Sequence, residues 1–289
     1  MTTERARIPG GLDPAQRLRL DRLLVLGALA ASACVSRPSK MEVPTPAGDE
    51  EQAWARPFLA PLELTDDPLQ DAIVRVVGAV SCSGTLIADD LVLTAHHCVS
   101  QRGPKGVILK KDEEASVIRV ELGGDDLPWG EVGVRHVVTP ECGYEQGAGD
   151  LAILVLNRKL VGMPTFVPRL ADAPEEGESI TPWGFGRCAA NDGPIHRRNR
   201  LGGEITSVNA GVFRAEASVC PGDSGGPALN SKREVVGVVS AAVMDSDART
   251  RDPSYFARLD KFEQLFSAAR EIADGAEPSE LPPYRSCEL

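Results

Sequence analysis

Between Ile73 and Ser240 the sequence breaks into short runs rich in β-branched and aliphatic residues, at 73–77, 85–87, 91–95, 106–110, 117–122, 132–138, 151–156, 203–208, 211–217 and 234–240. Their spacing, and the Gly, Asp and Pro residues between them, predict an all-β sandwich or barrel instead of alternating β/α units. The 289 residues leave room for one large β domain or two smaller ones. Aromatic residues make up only 4% of the chain, so burial must rest on Val, Leu, Ile and Ala. Within 259–273 the spacing changes. Phe262, Leu265, Phe266, Ala269 and Ile272 recur at helical intervals, which predicts one C-terminal helix docked on the β body.

The flanks read differently. Arg17, Arg19 and Arg22 precede an uncharged run from Leu23 to Ala33, which ends in Ala31, Ser32 and Ala33 ahead of Cys34. Positive charge, then an apolar run, then small residues is the order of an export signal, expected over 1–34; a buried N-terminal helix is the competing reading. The run is too short to span a bilayer. Its end resembles a bacterial lipoprotein processing site with Cys34 as the lipidated first residue of the mature chain, although Ala31 stands where that pattern prefers Leu. Plain secretion is the alternative to a cell-envelope lipoprotein. Residues 35–70 hold Pro38, Pro44, Pro46, Pro57, Pro61 and Pro68 with no sustained apolar period, as a linker does. Residues 275–289, with Pro278, Pro282 and Pro283, form a tail expected to lack order unless Cys287 ties it down.

The net charge of −11, with no Lys/Arg stripe, argues against a nucleic-acid partner. Of seven cysteines, setting Cys34 aside leaves Cys82, Cys98, Cys142, Cys188, Cys220 and Cys287. An even number in an exported chain suggests disulfides, and the sequence alone does not choose their connectivity. No two of them form a Cys-x-x-Cys pair, so no structural metal is expected.

Three segments bear on chemistry. In Cys220-Pro221-Gly222-Asp223-Ser224-Gly225-Gly226-Pro227, glycines bracket a single serine and allow tight turns beside a side chain that must stay accessible. A serine hydroxyl is a weak nucleophile and needs both a base for its proton and donors for the oxyanion that follows; the N–H groups of Gly222 and Ser224 are candidates. Leu91 to Cys98 is an apolar strand running into His96 and His97, which offers a base at a strand end. Gly147-Ala148-Gly149-Asp150 leads a carboxylate into the apolar strand 151–156, where it needs a partner. Taken singly, a Gly-rich loop, a structural histidine and a capping turn are the better explanations of the three segments.

Together and in this order they resemble the trypsin/chymotrypsin family. Its Thr-Ala-Ala-His-Cys stands here as Thr94-Ala95-His96-His97-Cys98, its Asp-Ile-Ala-Leu-Leu as Asp150 to Leu154, and its Gly-Asp-Ser-Gly-Gly-Pro as Gly222 to Pro227. Ser81 to Ile87 is similar to the strand before the catalytic histidine, and Trp183-Gly184 to part of the family's Gly-Trp-Gly; the resemblance spans about 72–274. It implies a protease domain over 71–274 built from two packed six-stranded antiparallel β-barrels with a C-terminal α-helix. Ser224 would be the nucleophile, His97 the base, Asp150 its orienting carboxylate, and Gly222 with Ser224 the oxyanion donors. The implied substrate is a protein or peptide, with no metal or organic cofactor. Cys82 with Cys98 matches a family bridge; Cys188 with Cys220 and Cys142 with Cys287 are the simplest remaining pairs.

The pattern also departs from the family. Its usual activation site, a basic residue followed by Ile-Val-Gly-Gly, is missing, and Ile73 and Val74 align with the first strand itself. In relatives made as inactive precursors, a freshly cut amino group pairs with the Asp before the nucleophile. Here that residue is Asp223, and the sequence names no partner for it. The loop would be formed constitutively, as in some bacterial relatives, or by cleavage at an unrecognised place. The pocket-floor position is Ser218, where an enzyme specific for Lys/Arg has Asp. Ala242 and Ser254 stand where wide pockets have glycines, behind the substrate-aligning Ser240. A small uncharged residue is therefore expected at the cleaved position. A catalytically silent binding scaffold on the same fold is the alternative from another class. An esterase is a third, without its usual Gly-x-Ser-x-Gly elbow in matching order.

Overall fold

The β-branched runs pair into strands, described by a computed structural model that covers residues 67–124, 127–141, 147–188, 194–242 (backbone only at Ala242) and 249–285. In chain order these are β1 (Ile73–Val77), β2 (Ser81–Ala88), β3 (Leu91–Thr94), β4 (Ser100–Arg102), β5 (Ile108–Asp112), β6 (Arg119–Leu122), β7 (Gly130–Val138), β8 (Ala152–Leu156), β9 (Ser179–Gly184), β10 (Arg198–Asn199), β11 (Gly203–Val208), β12 (Val212–Ala217), β13 (Pro227–Asn230), β14 (Val235–Ala242) and β15 (Asp252–Arg258), followed by helix α1 (Glu263–Ala273). β1-β2-β3-β8-β7-β6 close into an antiparallel barrel. In the second half β9-β11-β12-β15-β14-β13 do the same, because β13 returns to pair with β9, and β10 adds a two-residue ladder to β9. The fold is thus all-β, two six-stranded antiparallel barrels with one C-terminal helix. Closure leaves neither barrel an open edge.

The cores follow the aliphatic composition. β3 and β8 are buried along their whole length and pair directly, Leu91 with Val155 through Thr94 with Ala152. A strand with no polar face needs cover on both sides. Leu265, Phe266, Ala269 and Ile272 of α1 belong to the same apolar cluster as these strands, so the helix that follows the last strand of the second barrel caps the first. The second core centres on Phe213 and Phe256, stacked with ring centroids 5.0 Å apart.

Several local expectations shift. The run 106–110 becomes β5, which pairs with β4 in a small sheet outside both barrels. β9, β13 and β15 lie outside the aliphatic runs; each contains a proline, Pro182, Pro227 or Pro253, which withholds a ladder donor and hides the strand in a sequence. The helix starts at Glu263, because Phe262 closes a tight turn on Leu259 at 2.9 Å first. Residues 67–70 of the expected linker belong to the body. Asp67 caps a 3₁₀ turn over Pro68–Ala72 and pairs with Arg233, and Asp71 meets Arg197 at 2.8 Å. The tail is docked as far as Arg285. Leu281 and Tyr284 pack on the first core, and the Glu141 N–H donates to the Arg285 carbonyl at 2.8 Å. Cys34, Cys142 and Cys287, with the export signal expected over 1–34 and the linker expected over 35–66, lie outside the described residues.

Candidate active site

β3 ends at Thr94 and the chain turns through a 3₁₀ segment, His96–Cys98, directly beside the start of β8. That places His97 against Asp150, which is only 2% exposed. Nδ1 of His97 lies 2.7 Å from Asp150 Oδ2, and the His97 backbone N–H donates to Oδ1 at 2.9 Å. From the second barrel, Ser240 Oγ donates to Oδ2 at 2.5 Å. A buried carboxylate is costly without partners, and these three hydrogen bonds supply them. An ionised carboxylate accepts and does not donate, so Nδ1 carries the ring proton and Nε2 is left as the basic nitrogen.

The loop is braced from behind. Cys98 is disulfide-bonded to Cys82 on β2, and Arg102 Nη2 donates to the His97 carbonyl at 2.8 Å. His96, the neighbouring histidine, is buried and faces away, with Nε2 2.6 Å from Asp112 Oδ1. Thr139 Oγ1 donates to the other Asp112 oxygen at 2.7 Å. Burial pushes the Asp112 carboxyl up, but the hydrogen bonds from His96 and Thr139 outweigh it and hold its pKa below the ordinary value.

Ser224 comes from the loop before β13. This loop presses on the first barrel so closely that a Cβ on Gly225 would sit 2.2 Å from Thr94 Oγ1 and 2.3 Å from the Ser83 carbonyl. Ser83, at the barrel junction, holds the loop with its backbone and its side chain. Its N–H donates to the Ser224 carbonyl at 2.8 Å, and its hydroxyl donates to the Gly222 carbonyl at 2.8 Å while accepting the Phe185 N–H at 2.9 Å. The Ser224 carbonyl lies 3.6 Å from Cys98 Sγ, and His97 Nε2 stands 3.7 Å from the same sulfur. Serine and imidazole thus flank one disulfide. Ser224 is half-buried.

Peptide planarity orients two donors here. The Pro221 carbonyl accepts the Arg187 N–H at 2.9 Å, and the Asp223 carbonyl accepts the Gly226 N–H at 2.9 Å. In a trans peptide the N–H points opposite to the C=O. The N–H groups of Gly222 and Ser224 therefore face away from those bonds, and neither has an acceptor among the described residues. Gly222 holds φ at +101°, which a side chain would resist.

Asp223 points the other way, into the second barrel, fully buried against Arg200. Its pocket exists because a Cβ on Gly184 or Gly186 would come within 2.4 Å and 2.7 Å of Asp223 Oδ1. A disulfide joins Cys188 to Cys220 at the edge of this cluster.

Ser218 is buried, with Oγ accepting the Leu201 N–H at 2.9 Å. Ser254 is buried on β15, its Oγ 3.2 Å from the Ala217 carbonyl and its backbone paired with Ala215 and Ala242. Of the expected pocket residues, Ser240 also donates its hydroxyl to Asp150. Donor atoms of Cys82, His97 and Cys98 cluster within 4.8 Å, but the two sulfurs are bonded to each other and offer no thiolate to a metal. Ser83, Arg102, Asp112 and Arg200 were not singled out by sequence. Only the Gly184-x-Gly186 spacing hints at something large beside it.

Comparison with known proteins adds the following. The profile of a family described as Trypsin matches residues 46–265. A vitellin-degrading protease of Bombyx mori is 26% identical over 243 residues, covering 73% of this chain and 81% of that protein. Two solved structures share the fold at 19% identity. A Glu endopeptidase in complex with MPD has a TM-score of 0.57 and covers 70% of this chain and 91% of its own. Neuropsin, a serine protease expressed in the limbic system of mouse brain, has a TM-score of 0.56 and covers 71% and 96%.

Proposed function

Taking as premise that this chain belongs to the trypsin family and is a serine endopeptidase acting on proteins or peptides, we propose that Ser224 is its nucleophile, His97 its general base and Asp150 the carboxylate that orients His97. The observation that carries this reading is the hydrogen bond from His97 Nδ1 to a buried Asp150 held by two further donors, which leaves Nε2 basic, beside a serine loop whose Gly222 and Ser224 N–H groups are unspent.

Ser224 Oγ attacks the scissile carbonyl carbon while its proton passes to His97 Nε2, and the carbonyl oxygen becomes an oxyanion received by the two N–H groups. Asp150 stays ionised and stabilises the imidazolium. Collapse of the adduct expels the amine, which takes the proton from Nε2 and leaves an acyl-enzyme on Ser224. Water, deprotonated by the same nitrogen, then releases the acid and restores the serine.

Ser218 and Ser254 offer hydroxyls and no charge, which supports cleavage after small uncharged residues instead of Lys or Arg. Export through 1–34, with Cys34 as a lipid anchor to a bacterial cell envelope, is part of the same proposal. Replacing Cys34 by Ala and fractionating cells tests it, since loss of membrane association is expected.

The test of the chemistry is covalent labelling with a fluorophosphonate. A single adduct on Ser224 is expected, absent in Ser224→Ala. Purified chain that stays unlabelled and cuts no peptide library would support a binding scaffold. Predominant cutting after Lys or Arg would contradict the pocket assignment.

A further inference from the structure

Asp223 accepts three hydrogen bonds and touches a second nitrogen of Arg200. Oδ1 takes the Gly186 N–H at 2.8 Å and Arg200 Nη2 at 3.0 Å, while Oδ2 takes the Cys220 N–H at 2.8 Å and lies 2.6 Å from Arg200 Nε. Three of the carboxylate's roughly four lone-pair sites take hydrogen bonds, and the Nε contact is an ion pair without hydrogen-bond alignment. The pair is sealed, with side-chain exposures of 1% for Arg200 and 0% for Asp223. Arg200 is itself fixed: its N–H donates to the Pro182 carbonyl at 2.8 Å, Nη2 to the Gly186 carbonyl at 2.5 Å, and Nη1 reaches Cys188 Sγ at 3.7 Å. Apart from each other, neither residue has a charged side chain as a hydrogen-bond or ion-pair partner among the described residues.

This buried pair sits between the two peptides whose N–H groups receive the oxyanion. In family members made as inactive precursors, the same aspartate waits for an amino group that cleavage creates. Here the site where that ammonium would bind is already filled by a guanidinium from within the chain.

We infer that Arg200 is a built-in counter-ion of Asp223 that holds the Gly222 and Ser224 donors in their working arrangement, so that the chain is competent without a cut that frees a new N-terminus to pair with Asp223. The inference rests on the triad reading above. Arg200 is a positioning residue in it and touches no substrate. A buried carboxylate left without its cation must take a proton or move out, and its neighbours in the loop move with it.

The experiment uses the full chain, shown by intact mass to be uncut after any signal removal. Fluorophosphonate labelling of Ser224 is followed before and after limited digestion with immobilised trypsin. Equal labelling rates are expected, and labelling that appears only after a cut would overturn the inference. No labelling in either form would remove the triad reading, and this inference with it.

Arg200→Met is expected to lower kcat by about 10²- to 10³-fold, the scale of losing one oxyanion donor. Unchanged kcat would overturn the claim. Should Arg200→Met fail to fold, Arg200→Lys gives a second readout. A lysine restores the charge but is a group that alkali can deprotonate, whereas arginine keeps its charge. The lysine variant is thus expected to regain activity at neutral pH and to gain an alkaline fall in kcat that the parent lacks. An unaltered alkaline profile in an active lysine variant would count against the role.

Discussion

Two aspartates are buried, Asp150 at 2% exposure beside His97 and Asp223 at 0% in the Ser224 loop, and they are neutralised in opposite ways. Asp150 faces an imidazole, a hydroxyl and a backbone N–H, so its partner His97 can take and release a proton. Asp223 faces a guanidinium and two backbone N–H groups, a partner that does not give up its charge at working pH. The first arrangement suits a group that cycles with the reaction, and the second suits a fixed strut. The contrast also sets how each should fail. Removing the charge at Asp150 should damage chemistry and spare the fold, while removing it at Asp223 should damage both.

The largest effect is expected at Asp150. Asp150→Asn leaves the packing in place but lets the ring adopt the other tautomer, and kcat should fall about 10⁴-fold with the thermal midpoint nearly unchanged. Steady-state kinetics beside a melting curve checks this, and a large loss of stability would erase the contrast. Next comes Asp223→Asn, which strands the Arg200 charge. A cost of about 3–5 kcal/mol in stability, together with a fall in kcat, should appear by chemical denaturation and kinetics. Ser240→Ala removes one donor to Asp150, and a loss of about 1.5–3 kcal/mol in transition-state stabilisation, read as kcat/KM, separates it from a passive pocket wall.

The smallest effect concerns a third carboxylate, Asp90, which contacts none of the proposed catalytic residues. Arg270 on α1 donates to both oxygens of Asp90 at 2.7 and 2.9 Å, latching the helix to the first barrel. The hydrogen bond from Arg270 outweighs burial and holds the Asp90 carboxyl below its ordinary 3.8. The latch therefore adds stability above that value and loses it as pH falls through the lowered one. Because Arg270 is partly exposed, Asp90→Asn should cost about 1 kcal/mol or less at neutral pH. The gap in Tm between variant and parent should narrow in acid, and a gap independent of pH would break the assignment.

How far each aspartate's role could be read from sequence follows the same division. His97, Asp150 and Ser224, the proposed triad, sit in contiguous stretches whose glycines, apolar strand and adjoining cysteine are all local features, so residue type and order are enough to propose them. Arg200 lies in His196-Arg197-Arg198-Asn199-Arg200, which reads as a solvated basic run. Its burial depends on β10 pairing with β9 and on Asp223, 23 residues away, and no local pattern records either. The same reasoning covers the fold. Strands made of aliphatic runs were legible, whereas β9, β13 and β15 interrupt themselves with proline and exist because closed barrels pair them on both sides. The aliphatic runs alone left sandwich and barrel open; closure depends on β13 returning to β9, a long-range pairing.

The most direct measurement is a crystal structure of the uncut chain with a peptide boronate. The account predicts boron bonded to Ser224 Oγ and one boronate oxygen about 2.7–3.1 Å from both the Gly222 and Ser224 nitrogens. His97 Nε2 should lie within hydrogen-bond reach of the adduct, and Arg200 should still be paired with Asp223. A boronate bound to another residue, or an adduct whose oxygen meets neither N–H group, would contradict it.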